Sequence, residues 1–318
     1  MSTLGVIRNP ASSANHRARP LSLPDGTILV TPAAPEATGE AVRSLLSKGV
    51  RHIAIDGGDG TARLVIDGVL AAGGSGTVTL VLMRRGNTNL LCREIGGWPG
   101  LLGDLAGGIV VEQRLLRVEG ADGARHGLIL GLGAYERATR LASERPGPLG
   151  SAGVALAIGR ALVSAATQGP MGPWRRGTPL ALSVDGAAGH AGRRLLFAAT
   201  TAEGRLPLGI DPFGRNGEGG IRWLDIDAPG RQLAAAASSI LRGRFPPWLA
   251  DAGYRTGRAD TVRLKGAEAL VIDGDVVPLE PVIALTITLS QPVRFLVPRA
   301  TQGAGARIAD GPNRRPAT

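Results

Sequence analysis

The chain has a single cysteine, Cys92, in 318 residues, so no disulfide can close within it and a reducing compartment is expected. Lysine is almost missing too: Lys48 and Lys265 are the only two, so nearly all of the 36 basic residues are arginine. Aromatics make up 3% of the residues, so any core must be built from Leu, Val, Ile and Ala. No apolar run reaches the ~20 residues that span a bilayer. The quietest stretch, 151–167, is interrupted by Arg160. The N-terminus enters a strand pattern at Leu4-Gly5-Val6-Ile7 without a basic segment or a long apolar core, so no signal peptide is expected. His16, His52, His126 and His190 fall in no metal-ligand spacing, and no protein-bound zinc is expected. These absences exclude a disulfide scaffold, a helical membrane protein and a zinc-stapled domain.

What is present describes a globular protein with 43% apolar and 19% charged residues and room for two domains. Glycine and proline number 48 and 22, together below the roughly 25–30% that marks low complexity. The net charge of +10 suits polyanions: nucleotides, nucleic acid or an anionic membrane face. A solvated arginine-rich surface is the alternative.

Residues 51–70, RHIAIDGGDGTARLVIDGVL, organise the rest. Ile53, Ala54 and Ile55 form a short buried strand, Gly57, Gly58 and Gly60 break it, and Leu64, Val65 and Val69 recur at helical spacing. A new helix offers unpaired N–H groups and a positive dipole end, and glycines allow close approach, so the turn reads as a phosphate cradle. The alternative is a tight strand-to-helix connection and nothing more. Asp59 lies inside this turn.

Around it, strands are expected at 4–7, 27–30 and 78–83 and helices at 39–48 and through Leu91 and Ile95, with a further helix at 98–106. Strands alternating with helices argue for a doubly wound parallel sheet. From residue 109 the pattern changes to short runs at 115–118, 128–132, 180–184, 195–200, 261–264, 270–272 and 283–289. Turn signals at Asp122-Gly123, Asp185-Gly186 and Asp273-Gly274 separate several of them, as in an antiparallel sheet or sandwich. Helical insertions are expected at 152–166 and 231–242, and the Gly-, Ala-, Pro- and Arg-rich tail from Thr301 is expected to be disordered.

The segment from Ile55 to Thr61 resembles the GGDGT signature of the diacylglycerol kinase catalytic superfamily, which includes bacterial diacylglycerol, sphingosine and ceramide kinases. NAD kinases and 6-phosphofructokinases carry similar turns, but three further matches narrow the resemblance. Asn9-Pro10-Ala11-Ser12 is similar to the family's N-P-x-S-G motif, Gly86-Asn87-Thr88-Asn89 to its G-T-x-N-D motif, and Asp273-Gly274-Asp275 to its late D-G-E. The chain departs from the pattern at Ser13, Ala62-Arg63, Arg84-Arg85 and Leu90, and Asp275 stands for Glu.

The resemblance implies an α/β fold: an N-terminal doubly wound parallel sheet of the 6-phosphofructokinase and NAD kinase type, plus a C-terminal antiparallel β-sandwich domain with helical insertions. The boundaries expected are 1–108 for the nucleotide-binding domain, 109–290 for the lipid-substrate domain, 291–300 for a return segment and 301–318 for the tail. It implies phosphorylation of a lipid hydroxyl (diacylglycerol, ceramide or a sphingoid base) with ATP and Mg²⁺. Asn9, Gly57, Gly58, Gly60, Thr61, Gly86, Thr88 and Asn89 would bind the nucleotide, and Arg85 beside Arg84 would pair with phosphates or an anionic headgroup. Asp59 is the first candidate for general base or for a water-mediated Mg²⁺ contact; Asp275 competes for the role of base. The alternative for Asp59 is a carboxylate that offsets a helix dipole, and for Asp275 a hairpin-turn residue.

The expected partner is a lipid in an anionic membrane, which the basic and apolar residues 240–249 would contact unless they form a packed loop. Nucleic acid is not expected, since no basic helix or stacking platform is present. A homodimer is compatible with the sequence. The location expected is cytoplasmic, at most peripheral on the inner face of the plasma membrane. A catalytically silent nucleotide- or lipid-binding relative and an NAD kinase-like enzyme are the competing functions. The Asn9-Pro10, Gly86–Asn89 and Asp273–Asp275 matches disfavour the second.

Overall fold

The computed structural model describes residues 3–12, 15, 23–86, 89–99, 105, 107–121, 123–144, 172, 174–187, 189–203, 211–214 and 216–299. Strand β1 (Leu4–Arg8) is followed by β2 (Ile28–Val30), helix α1 (Thr38–Ser47), β3 (His52–Asp56), α2 (Asp59–Ala71), β4 (Thr79–Leu82) and the short α3 (Leu90–Glu94). Together with β5 (Gly108–Gln113) and the last strand, β17 (Val293–Pro298), the first four strands form one sheet in the order β2-β1-β3-β4-β17-β5. All neighbours are parallel except β17 and β5.

Burial on both faces explains the unbroken apolar run of β4, whose four residues are all buried. Ile7, Ile53, Ile55, Leu80 and Leu82 face one way and pack on Ala41, Val42 and Leu45 of α1, Val65, Ile66 and Val69 of α2, and Leu91 and Cys92 of α3. Val6, Ala54, Val81, Met83 and Leu296 face the other way and are covered by Trp98, Leu23 and Leu105. The winding expected on both faces is therefore seen with helices on one face only, among the described residues. The expected helix at 98–106 falls mostly outside those residues. Trp98 itself forms a parallel bridge with Met83 and donates its indole N–H to Leu296 O at 2.8 Å.

The chain leaves this sheet after β5. It then builds β6 (Leu116–Gly120), β7 (Gly123–Gly127), β8 (Ile129–Gly133), α4 (Ala134–Glu144), β9 (Thr178–Val184), β10 (His190–Thr200) and β11 (Ile221–Asp227). Helices α5 (Leu233–Leu241) and α6 (Trp248–Asp251) precede β12 (Tyr254–Ala259), β13 (Val262–Lys265), β14 (Ala269–Ile272), β15 (Asp275–Pro278) and β16 (Leu285–Leu289). These strands hydrogen-bond antiparallel in the order β15-β14-β8-β10-β9-β13-β16-β6-β7, with β11 on β10 and β12 on β11. The expected sandwich is thus one continuous sheet of eleven strands. The register of β10 shifts between Arg194 and Leu196, as at a bulge. The sheet curls around a single core to which β6, β8, β10, β14 and β15 all contribute. Its terminal strands, β15 and β7, both line one cavity of about 340 Å³.

Helices α5 and α6 cover the outside of the curled sheet through Leu233, Ala236, Ile240 and Leu249. Helix α4, which no sequence pattern singled out, follows β8 directly. The expected helix at 152–166 and the tail from Thr301 lie outside the described residues. No described helix is long and apolar enough to cross a membrane.

Candidate active site

Three parallel strands deliver the candidate residues to one edge. Asn9 follows β1, Gly57 follows β3, and Arg85 and Gly86 come just after β4. This carboxyl edge is where open parallel sheets bind ligands. Asn9 donates its amide to Thr61 Oγ1 at 2.9 Å, tying the end of β1 to the first turn of α2. Its side-chain oxygen accepts the Ala11 amide at 3.0 Å, and Asn15 anchors the turn by donating to the carbonyls of Asn9 and Asp56.

The three glycines of the turn each face protein atoms at close range. A Cβ on Gly57 would lie 2.6 Å from Thr61, one on Gly58 3.2 Å from the Cα of Gly86, and one on Gly60 3.1 Å from a carboxylate oxygen of Asp275. Gly58 has an extended backbone (φ −84°) that any residue adopts, so what favours glycine there is the close approach of the Gly86 loop. Helix α2 starts at Asp59 with no side-chain cap, and its first N–H groups open toward the turn.

Asp59 does not cap its own helix. Its carboxylate accepts the amides of Leu90 (3.1 Å) and Leu91 (3.2 Å) and so fixes the start of α3. Burial raises its pKa, the amide bonds oppose that shift, and the neighbouring charge of Asp275 adds to it. The same burial, with Asp59 nearby, pushes the thiol of Cys92 up to about 12, so Cys92 is an inert buried residue on α3.

Asn89 takes the left-handed conformation (φ 47°), accepts the Gly86 amide at 2.9 Å and returns a hydrogen bond to the Gly86 carbonyl. It shapes its own loop. Thr88 lies outside the described residues. Arg85 pairs with Asp56 at 3.2 Å, and Arg8 meets the same fully buried carboxylate at 3.4 Å. Two guanidinium groups on one carboxylate leave a positive surplus on the strand side of the turn.

Asp275 arrives from the second sheet. The Asp273-Gly274 hairpin turn, with φ values of 51° and 98°, joins β14 to β15 and sets Asp275 beside Gly60, half-exposed at 49%. Its carboxylate accepts Arg63 Nη2 at 3.2 Å. Asp273 is buried; its Oδ1 accepts the amides of Leu128 and Ile129 at 2.9 Å each, and its Oδ2 shares the Leu128 amide at 3.1 Å. Burial moves its pKa up to about 7 against those amide bonds. The two acids of this motif therefore have separate tasks: Asp273 fastens the hairpin, and Asp275 reaches the turn.

The chain of contacts behind Asp275 was not legible in the sequence. Arg63 also meets Asp67 one helical turn on, at 3.6 Å. Asp67 in turn accepts the backbone amide of His126 at 3.0 Å and contacts its Nδ1 at 2.7 Å, joining α2 to β7. Arg63 was legible only as a departure from a motif. Its i,i+4 spacing from Asp67 was the available signal. Among the described residues no group of three His, Cys, Asp or Glu is placed to hold a metal ion. Mg²⁺ in phosphoryl-transfer sites takes one or two carboxylates plus substrate phosphates, and Asp59 and Asp275 fit that smaller demand.

No protein-family model matches the sequence, and no curated protein matches it. Solved structures from Bacillus anthracis str. Sterne do. One, described as a "putative diacylglycerol kinase", is 16% identical at a TM-score of 0.64, with 94% of this chain and 98% of that chain covered. A second, described as a diacylglycerol kinase, is 16% identical at a TM-score of 0.58 over the same shares. A third is 14% identical at 0.56, covering 93% and 98%. At these identities the likeness is one of fold, and it extends over both sheets: the chain has the fold of the diacylglycerol kinase-like proteins.

Proposed function

We propose that the protein is an ATP-dependent lipid kinase that phosphorylates a hydroxyl of diacylglycerol, ceramide or a sphingoid base. The observation that carries this reading is the convergence on the uncapped start of α2: Asn9 bonds Thr61 there, and Asp275 returns from 215 residues away to sit beside Gly60. Charge supports it. The strand side of the turn has the Arg8 and Arg85 surplus that suits phosphates, and the helix side has Asp59 and Asp275.

In this reading Asp275 is the general base. It is the more open of the two acids and takes the proton as the lipid oxygen attacks the γ-phosphorus and the bond to the β-phosphate oxygen breaks. Asp59, immobilised by two amides, stays oriented beside the phosphates and would help hold Mg²⁺ there. Bound Mg²⁺ would neutralise phosphate charge. Thr61 and the first amides of α2 bind phosphate oxygens, and Gly86 and Asn89 hold the facing loop.

The lipid would be met at an anionic surface. Phe245, Trp248 and Leu249 are packed into the protein, so the contact rests on the exposed Arg242 and Arg244. Co-sedimentation with phosphatidylserine vesicles should weaken in Arg244→Glu; unchanged binding removes the membrane contact.

The deciding assay is transfer from labelled ATP with Mg²⁺ to a panel of diacylglycerol, ceramide, sphingosine and monoacylglycerol. Transfer to one of them is expected. ATP binding without transfer to any would leave a silent nucleotide-binding protein.

A further inference from the structure

Asp275 stands on β15, a terminal strand of the eleven-stranded sheet, paired with β14 alone. Nothing in that strand pairing fixes where its carboxylate points. Among the described residues the one hydrogen bond that carboxylate accepts comes from Arg63 Nη2, at 3.2 Å. Arg63 is itself 9% exposed and cannot swing freely. Its other terminal nitrogen meets Asp67 at 3.6 Å, and Asp67 is held from the far side by the amide and ring of the buried His126.

The sequence of contacts Asp275–Arg63–Asp67–His126 therefore starts on β15, passes through α2 and ends on β7, the opposite terminal strand of the same sheet. Burying a guanidinium without its full set of partners is costly, and Arg63 Nε and Nη1 lack hydrogen bonds. Arg63 spends its best-placed nitrogen on a half-exposed acid.

We infer that Arg63 is a positioning residue: it holds the Asp275 carboxylate over the first turn of α2, braced from behind by Asp67 and His126. The inference rests on the lipid kinase reading for its effect on turnover. Misplacing a reacting group by about 1 Å can cost up to ~10²-fold in rate without changing the nucleotide's own contacts. Among the described residues Asp275 is paired with Arg63 and its charge acts on Asp59, while Arg63 also meets Asp67 and its charge acts on Asp273.

The experiment is a double-mutant cycle between Arg63→Met and Asp275→Asn, with Arg63→Lys as the conservative variant, read as kcat and as KM for ATP against the best lipid acceptor. Arg63→Met is expected to lower kcat about 10- to 100-fold, to leave KM for ATP within about twofold, and to add no further loss in the Asp275→Asn background. Arg63→Lys should recover part of the loss. Equal losses in both backgrounds, or a loss confined to KM, would overturn the inference. Amide hydrogen exchange at residues 274–276 is measured in parallel and needs no activity. Faster exchange in Arg63→Met is expected, and unchanged exchange would overturn the positioning role. If the wild-type protein phosphorylates no lipid, the kinase reading fails and the exchange result alone decides the role of Arg63. If Arg63→Met does not fold, Arg63→Gln takes its place in both measurements.

Discussion

Two clusters of arginine and aspartate sit in this molecule, and they are built differently. In the first, on β10, β11 and β12, Arg194 and Arg255 meet Asp225 and Asp227. Arg255 donates to Asp225 at 2.7 and 3.0 Å and to Asp227 at 2.9 Å, and Arg194 meets Asp225 at 3.1 Å. Two charges of each sign balance around a fully buried carboxylate. In the second, at the start of α2, Arg63 faces Asp67 and Asp275, with Asp59 and Asp273 next to them. Negative charge is in surplus there, and across the turn Arg8 and Arg85 leave a positive surplus around Asp56. A balanced cluster has no use for a charged ligand, whereas an unbalanced one is stabilised by what binds it.

The contrast breaks most visibly at the acids. Asp275→Asn should lower turnover by roughly 10²–10⁴-fold, the usual contribution of a positioned general base, with little loss of thermal stability. Asp59→Asn should reduce turnover too and should also loosen α3, because one of its two amide bonds then faces an –NH₂ group. Steady-state kinetics beside thermal melts separate the two. Asp225→Asn should do the reverse: it leaves Arg194 and Arg255 short of a counter-charge and costs about 3–5 kcal/mol of stability. The folded fraction should keep its ATP affinity and turnover. If Asp225→Asn lowered turnover of folded protein as much as Asp275→Asn does, the division between balanced and unbalanced clusters would be wrong.

A smaller effect is expected where the two loops touch. Gly86→Ala would place a Cβ 2.9 Å from the Cα of Gly58, a backbone atom, and no side-chain rotation relieves the contact. Overpacking of this kind costs about 1–3 kcal/mol. Gly58→Ala meets Gly86 at 3.2 Å and should cost less. Both should weaken ATP binding, measured by calorimetry, in that order. A Gly86→Ala protein with unchanged affinity would show that the facing loop takes no part in the cradle.

Much of this arrangement is legible in the sequence. The apolar runs of β1, β3 and β4 and the periodicity of α1 and α2 identified the first sheet because burial on both faces leaves an unbroken signal. The Asp-Gly pairs at 185 and 273 marked real hairpins, since both aspartates have positive φ. Strands β11 and β12 escaped notice because their arginines and aspartates, Arg222, Asp225 and Arg255 among them, read as polar loops. Their burial becomes tolerable only once the partners from neighbouring strands are in place. The glycines of the turn were legible as glycines but not in purpose. Sequence cannot say that Gly58 makes room for Gly86, or Gly60 for Asp275, because those neighbours are 28 and 215 residues away. The same separation hid the contacts from Asp275 to His126.

The gentlest perturbation is pH, and it tests the hairpin that carries Asp275. Asp273 has an ordinary carboxyl pKa near 3.8 when unfolded and about 7 when folded, with burial as the largest cause. The folded state therefore binds this proton more tightly than the unfolded state does. Its contribution to stability is fully present below the unfolded value and is lost as pH rises through the folded one, at no more than about 1.4 kcal/mol per pH unit. Between pH 4 and 7 this group should thus make the protein less stable as pH rises, opposite to an aspartate held in an ion pair. Asp273→Asn keeps an oxygen for the amides of Leu128 and Ile129 and removes the titration. Chemical denaturation at several pH values should show the wild type losing stability relative to Asp273→Asn across that window. A constant difference would mean that the three amide bonds hold Asp273 charged in spite of its burial, and that its hairpin is anchored by a carboxylate at every pH where the site works.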